Sequence, residues 1–227
     1  MKYKLLDRNI AEFLTPLDAV LSTELRKSSG LDLPLLEIGV WKGGWIITQL
    51  INIENCVGFG VDPYPGLDQV KFEFNSSLEK FGLTKRYQHF NNLAELAGNI
   101  ETLFSLVHID GEHSEEALTL DLITSSKLLH KNGVIVIDDI FHADFPGVPS
   151  AAFKFLHNSS FCSFLITPNK MYICDKNRFD FYHNFVLNFL TEHRVTNYLG
   201  FPSGQWGETY KSDNSINGFI SSISREV

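Results

Sequence analysis

Two short runs hold most of the groups able to do chemistry: Val107-His108-Ile109-Asp110-Gly111-Glu112-His113-Ser114 and Gly133-Val134-Ile135-Val136-Ile137-Asp138-Asp139. Each is an apolar, strand-like stretch that ends in carboxylates, and the first places His113 shortly after Asp110, at the start of a helix-like segment. If both runs are strands of one parallel sheet, their carboxyl ends lie on the same edge, and Asp110, Asp138, Asp139 and His113 share one cleft. Carboxylates within a few Å of each other raise one another's pKa unless protons or a cation neutralise them. A hard divalent ion is the simplest solution. Oxygen ligands suit Mg²⁺ or Ca²⁺ better than zinc, and Mg²⁺ leaves coordination positions open for water or a substrate hydroxyl. The competing reading is local: Asp138 and Asp139, as neighbours on a strand, point in opposite directions and merely end it. Of the other histidines, His108 lies inside the strand and is expected to be a hydrogen-bonded core residue, while His142 follows Asp139 closely enough to line the cleft.

A second group of residues offers a binding site rather than reactive groups. Leu35-Leu36-Glu37-Ile38-Gly39-Val40-Trp41-Lys42-Gly43-Gly44 reads as a buried strand opening into a glycine-bearing turn, and Trp45–Ile51 as the start of a helix. Glycines there let a ligand approach the backbone, and a helix N-terminus supplies free N–H groups. The pattern is Gly-x-x-x-Gly-Gly, whereas a dinucleotide-binding turn would read Gly-x-Gly-x-x-Gly, and no Gly-Lys-Ser/Thr closes it as in a phosphate loop. Asp62 ends the next strand-like run. A carboxylate at that place can accept from both hydroxyls of a ribose, which makes nucleoside binding the working hypothesis. The alternative is that Asp62 only starts the Asp-Pro-Tyr-Pro-Gly turn.

Both groups depend on the elements that carry them. Pro34–Val40, Val57–Asp62, Arg86–Phe90, Phe104–Asp110 and Gly133–Asp138 are strand-like, and Gly66–Phe81, Asn92–Leu103 and Ser114–Leu129 between them are helix-like. This alternation predicts a parallel sheet covered on both faces. Phe161–Thr167 and Lys170–Cys174, parted by Pro168-Asn169, predict an antiparallel hairpin. The expected fold is α/β, a Rossmann-like doubly wound sheet of seven strands, mostly parallel with a C-terminal antiparallel hairpin. Ile10, Phe13, Leu14, Leu17, Val20, Leu21 and Leu25 predict an amphipathic helix over 8–28, or two short helices meeting at Pro16. A single domain over 1–227 is expected: a helical cap over 1–30, the sheet core over 31–176, then a helix and an irregular tail over 177–227. In the tail, Phe201, Trp206, Tyr210 and Phe219 are suited to closing over a substrate or packing in a homo-oligomer, and no role is assigned to them.

Composition narrows the partners. The chain of 227 residues is 44% hydrophobic and 20% charged, an ordinary globular balance, and its formal net charge of −8 disfavours nucleic acid and anionic membranes. Cys56, Cys162 and Cys174 are three in number and widely spaced, which matches neither a disulfide framework nor a zinc site. With charges at Asp7, Arg8 and Glu12 interrupting any leader-like segment, a cytoplasmic location is expected.

These residues bring the chain into a family pattern: it resembles the class I S-adenosylmethionine-dependent methyltransferases. Glu37-x-Gly39-x-x-x-Gly43 is similar to their first motif, and Asp62 falls where their ribose-binding acid falls. The resemblance implies that Gly39 and Gly43 approach the methionine part of S-adenosylmethionine and that Glu37 organises this region. It places Tyr64, and Asn91 or Asn92, near the adenine. A narrower resemblance, to macrocin-type sugar O-methyltransferases and their relatives, rests on His108-Ile109-Asp110-Gly111-x-His113, Asp121-Leu122, Gly133-x-Ile135-x-x-Asp138-Asp139 and Pro146-Gly147-Val148, within about residues 33–156. It implies a divalent metal such as Mg²⁺, held by Asp110, Asp138 and Asp139, with His113 as the base that takes the proton of a substrate hydroxyl. Glu115 departs from the pattern, since relatives often carry an aromatic there, and this leaves the substrate pocket open.

The implied chemistry needs such an arrangement. Methyl transfer from a sulfonium is an in-line displacement, so nucleophile and methyl must be aligned and the hydroxyl proton removed. A cation lowers the pKa of an alcohol, and histidine can accept its proton. The expected activity is therefore metal-assisted O-methylation of a hydroxylated small molecule, such as a sugar or glycosylated metabolite. The alternatives are a scaffold protein that binds the cofactor without catalysis, and, against the glycine spacing, a nucleotide-dependent oxidoreductase.

Overall fold

The computed structural model describes residues 4, 6, 9, 10, 14 and 16–192. The tail over 193–227, with its four aromatics, and most of the expected helical start over 8–15 lie outside the described residues. The strand-like runs become β1 (Leu35–Ile38), β2 (Gly58–Val61), β3 (Tyr87–Phe90), β4 (Phe104–Ile109), β5 (Leu129–Ile137), β6 (Phe161–Ile166) and β7 (Met171–Asp175). Between and around them lie α1 (Pro16–Ser28), α2 (Gly44–Asn52), α3 (Asp68–Lys80), α4 (Leu93–Asn99), α5 (Glu115–Leu128), α6 (Gly147–His157) and α7 (Phe179–Glu192).

The strands form one sheet in the order β3-β2-β1-β4-β5-β7-β6. The pairings from β3 through β5 are parallel, and β7 runs antiparallel to both β5 and β6. This is the Rossmann-like, doubly wound arrangement with an antiparallel hairpin at one edge. Successive residues of a central strand feed opposite layers: Val134 and Val136 of β5 pack with α1, α2, α3 and α7, while Ile135 and Ile137 pack with α4, α5 and α6. Burial on both faces is why this strand reads as an unbroken apolar run.

Helix α1 begins at Pro16, where the sequence reading allows two helices to meet, and the proline's missing N–H costs nothing in a first turn. Two local features depart from the sequence reading. Helix α6 has no counterpart among the helix-like runs of the sequence, because Pro146, Gly147 and Pro149 interrupt the pattern at its start. Pro149 falls in the first helical turn, where it is tolerated, and Val148, Ala151 and Ala152 supply the buried face. Strand β5 starts at Leu129, directly after α5, rather than at Gly133. Its polar His130-Lys131-Asn132 is absorbed where the register against β4 shifts, between the Phe104↔Leu129 and Leu106↔Val134 pairs. No helix among the described residues is long and apolar enough to cross a membrane.

Gly39, just past β1, controls how closely the two central strands can approach. Its φ is +80°, and a Cβ placed there would lie 1.9 Å from the Asp110 carbonyl oxygen. Gly39→Ala is therefore expected to destabilise the protein by more than about 2 kcal/mol, from left-handed strain plus the clash. Chemical denaturation of the two proteins measures this, and an unchanged midpoint would contradict the close approach.

Candidate functional site

The strand register builds the site. Ile38 pairs with Val61 on one side and Ile109 on the other, Val61 pairs with Phe90, and Ile109 pairs with Ile137. The residues one step further, Gly39, Asp62, Asn91, Asp110 and Asp138, consequently form one row along the carboxyl edge. Backbone bonds carry the ladder into that row, from Gly39 N to Val61 O, Asp62 N to Phe90 O, Asp110 N to Ile38 O and Asp138 N to Ile109 O. Above it lies a cavity of about 1070 Å³, lined among others by Gly39, Trp41, Asp62, Asn92, Asp110, His113, Asp138, Asp139 and His142.

On the β1 and β2 side the cavity is lined by a turn held from below. Asp62 Oδ2 accepts from the backbone N–H of Val40 and of Trp41, each at 3.0 Å, and Oδ1 accepts from Tyr64 N at 2.8 Å. A carboxylate has room for about four acceptor interactions, so one remains for a ligand hydroxyl. Trp41 and Tyr64 both adopt positive φ, 49° and 47°, an uncommon backbone state for aromatic residues. Their strain is retained because the Tyr64 hydroxyl donates to the Trp41 carbonyl at 2.7 Å, clamping the two turns together. Tyr64 is thus buried under the loop, while Trp41, 43% exposed, borders the cavity. Gly43, with φ +77°, caps α2 and lets the Phe74 ring pack against it, outside the cavity lining. Asn92 borders the cavity and caps α4 by accepting from Glu95 N at 2.9 Å.

Glu37 does not reach the cavity surface. It is buried in β1, accepts from Ile46 N of α2 at 3.2 Å, and has Oε1 3.1 Å from His108 Nδ1. Burial raises its pKa to about 7, against the opposing pull of His108. His108 is the buried, hydrogen-bonded core histidine expected from sequence, and the Trp45 ring stacks on it at 4.6 Å.

The reactive side of the cavity lies at the ends of β4 and β5. His113 Nε2 is 3.5 Å from Asp110 Oδ1 and 3.2 Å from Asp139 Oδ2. It is buried and aligned for a hydrogen bond with neither. The ring is fixed from behind by stacking on Phe145 at 4.0 Å, and His142 stacks on the same phenylalanine at 4.4 Å. Asp110 and then Asp139 raise the His113 pKa to about 9. Burial, followed by the charge of Asp138, raises that of Asp110. Asp139 reaches its position through a left-handed backbone, φ 54°. The donor atoms of Asp110, His113 and Asp139 all lie within 4.8 Å of one another, a grouping able to hold a metal ion.

Asp138 is brought to the same row but is occupied from within. Its Oδ1 accepts from Asp139 N at 2.8 Å and from Asn169 Nδ2, and its Oδ2 pairs with Lys170 Nζ. Burial would raise its pKa, but the Lys170 ammonium outweighs that and holds it well below the usual carboxylate range. Asn169 and Lys170 were missed in the sequence. They belong to the hairpin turn, and nothing in the local pattern says that this turn folds back beneath the end of β5.

Residues 36–140 match the family model described as a methyltransferase domain, a stretch that runs from β1 to the carboxylate pair. None of the curated proteins compared with the sequence matches it. Among solved structures, an O-methyltransferase from Bacillus cereus in complex with SAH is similar, with TM-score 0.60 and 14% identity over 73% of this chain and 83% of that one. The O-methyltransferase TomG from Streptomyces achromogenes, in complex with SAM, has TM-score 0.55 and 15% identity over 74% of this chain and 86% of that one. CalS11, a TDP-rhamnose 3'-O-methyltransferase of calicheamicin biosynthesis, has TM-score 0.54 and 17% identity over 74% and 84%. At these identities the likeness is one of fold.

The His113 environment has a measurable consequence. A histidine pKa raised from its ordinary 6.5 to about 9 contributes stability that is complete below about 6.5 and lost as pH rises through about 9. In chelator-treated protein, NMR titration of the His113 ring is expected to give a midpoint near 9, falling toward the ordinary value in Asp139→Asn. A midpoint near 6.5 in the unsubstituted protein would remove the two-carboxylate environment.

Proposed function

We propose that the protein is an S-adenosylmethionine-dependent O-methyltransferase acting on a hydroxylated small molecule, such as a sugar or glycosylated metabolite. The observation that carries this reading is one cavity that joins a Gly39 and Asp62 turn to a histidine flanked by two carboxylates. The fold shared with SAM- and SAH-bound structures supports the cofactor, and the sugar nucleotide acted on by CalS11 supports the acceptor class.

S-adenosylmethionine, when bound, supplies the methyl group. On the chain's side, Gly39 offers backbone free of a side chain, Asp62 offers its remaining acceptor capacity to a ribose hydroxyl, and Asn92 flanks the far end of the groove. Glu37, Gly43 and Tyr64 act from below: Glu37 anchors α2, Gly43 caps it, and Tyr64 holds the Trp41 turn. His113 is the base for the substrate proton; because Asp110 and Asp139 raise its pKa to about 9, only its deprotonated fraction, which grows as pH rises toward 9, can take that proton, and the carboxylates stabilise the imidazolium that results. The donor set Asp110 and Asp139, with the orphaned His113 Nε2 beside it, suits a divalent ion such as Mg²⁺, which would act there as a Lewis acid on the hydroxyl.

Isothermal titration calorimetry with S-adenosylmethionine is the first test, followed by a metabolite screen with isotopically labelled cofactor. Binding and label transfer to a hydroxyl are expected; no binding would end the proposal, and binding without transfer to any acceptor would favour a non-catalytic scaffold. Asp62→Ala is expected to weaken cofactor binding by about ten-fold or more, the usual loss for a hydrogen bond to a charged group. His113→Ala is expected to lower turnover by about 10²–10⁴-fold with cofactor affinity within a few fold.

A further inference from the structure

Lys170 is 1% exposed, although nothing in the proposed methyl transfer uses it. A buried ammonium is stable only with charge and hydrogen-bond partners, and the hairpin turn delivers this one to them. The backbone of Lys170 is pinned by its own N–H, which donates to Thr167 Oγ1 at 3.0 Å, and by its carbonyl, which accepts from Thr167 N at 2.8 Å. Its Nζ meets Asp138 Oδ2 and lies 3.0 Å from His108 Nε2, whose ring continues to Glu37. His108 Nε2 also lies 3.4 Å from Asp138 Oδ2, so the ring links the Lys170 and Asp138 pair to Glu37 in one buried chain. The other oxygen of Asp138 is already shared by Asp139 N and Asn169 Nδ2. By contrast, Asp110, His113 and Asp139 present converging donor atoms at the cavity.

We propose that Lys170 is the resident cation of Asp138 and keeps that carboxylate out of the metal-ligand set, so that a divalent ion at the rim is held by Asp110 and Asp139 beside His113 alone. This rests on the reading of the rim as a metal-assisted site and departs from the trio implied by family resemblance. An ammonium already seated on Asp138 competes with a metal ion in two ways: it fills the oxygen, and its charge repels a second cation a few Å away. Lys170 is accordingly a positioning residue that sets metal affinity from beneath the cavity.

Direct metal binding separates this role from a structural one. Chelator-stripped full-length protein, Lys170→Met and Asp138→Asn are titrated with Mn²⁺, free ion being followed by electron paramagnetic resonance and folding by circular dichroism. Removing the ammonium frees an anionic oxygen, so Lys170→Met is expected to bind Mn²⁺ more tightly by at least about five-fold, within the range by which groups around metal ligands alter affinity. Damage to the fold would not tighten binding. Asp138→Asn is expected to lose no more than the roughly 10–100-fold typical of a group that supports metal ligands, because it removes no ligand and only leaves the Lys170 charge uncompensated. A folded Lys170→Met with a smaller gain, or a larger loss in Asp138→Asn, overturns the proposal, and the second comparison decides where Lys170→Met does not fold. Neither result depends on S-adenosylmethionine, so failure here leaves methyl transfer standing, and absence of cofactor binding leaves the Mn²⁺ comparison intact.

Discussion

The parallel register of β2, β1, β4 and β5 is the constraint on which the site depends. Ile38, Val61, Ile109 and Ile137 are locked in a line by backbone hydrogen bonds, and the next residue of each strand must then emerge on the same edge. Because side chains alternate along a strand, a shift of one residue in any pair would turn a functional side chain toward the other layer. The buried face of each strand prevents such a shift, since it would also expose the apolar set packed under the helices. Stability of the core and placement of Asp62, Asp110 and Asp138 are therefore one property.

That placement gathers negative charge, and the structure answers it with three different cations or dipoles. Backbone N–H groups hold Asp62, an imidazole stands between Asp110 and Asp139, and an ammonium is paired with Asp138. The three solutions differ in what they leave open. Backbone donors leave Asp62 able to accept once more, and the imidazole stands half-buried at the cavity with two carboxylates whose outer oxygens can take a ligand. The buried Lys170 pair leaves little, because its partners satisfy it internally and water is excluded. Burial costs the ammonium, but Asp138 first and then Asp18 and Asp110 outweigh this and raise its pKa. The groups suited to reaction lie at the partly exposed rim, and those that only organise charge lie beneath it.

Backbone strain follows the same boundary. Of the described non-glycine residues with positive φ, Trp41, Tyr64 and Asp139 all follow a strand end at the carboxyl edge, with Asn55 the exception. Such conformations persist where surrounding contacts over-determine them. Here those contacts are the Tyr64 to Trp41 hydrogen bond and the internal bond from Asp139 N to Asp138. The glycines mark complementary limits. Gly39 permits contact with the Asp110 backbone, and Gly60 of β2 makes room for the Tyr87 hydroxyl, 1.8 Å from where a Cβ would be.

Strand-like runs ending in Asp62, Asp110 and Asp138, with glycines after the first, were legible because each is a local pattern of apolar residues and a terminating polar group. They determined the doubly wound sheet, its hairpin and the edge on which chemistry would gather. Local patterns failed at α6, where two prolines masked a buried helical face, and at the start of β5, where polar residues are accommodated by a register shift with a distant strand. The sequence also determined that Asp138 would stand in the row, but not what it would face. Only the tertiary structure brought Lys170 and Asn169, some thirty positions later, beneath that carboxylate, and only it put Glu37, Gly43 and Tyr64 behind the cavity wall. The physical reason is that a strand's periodicity is written in neighbouring residues, whereas the partner of a buried charge is decided by how a separate hairpin packs against the sheet.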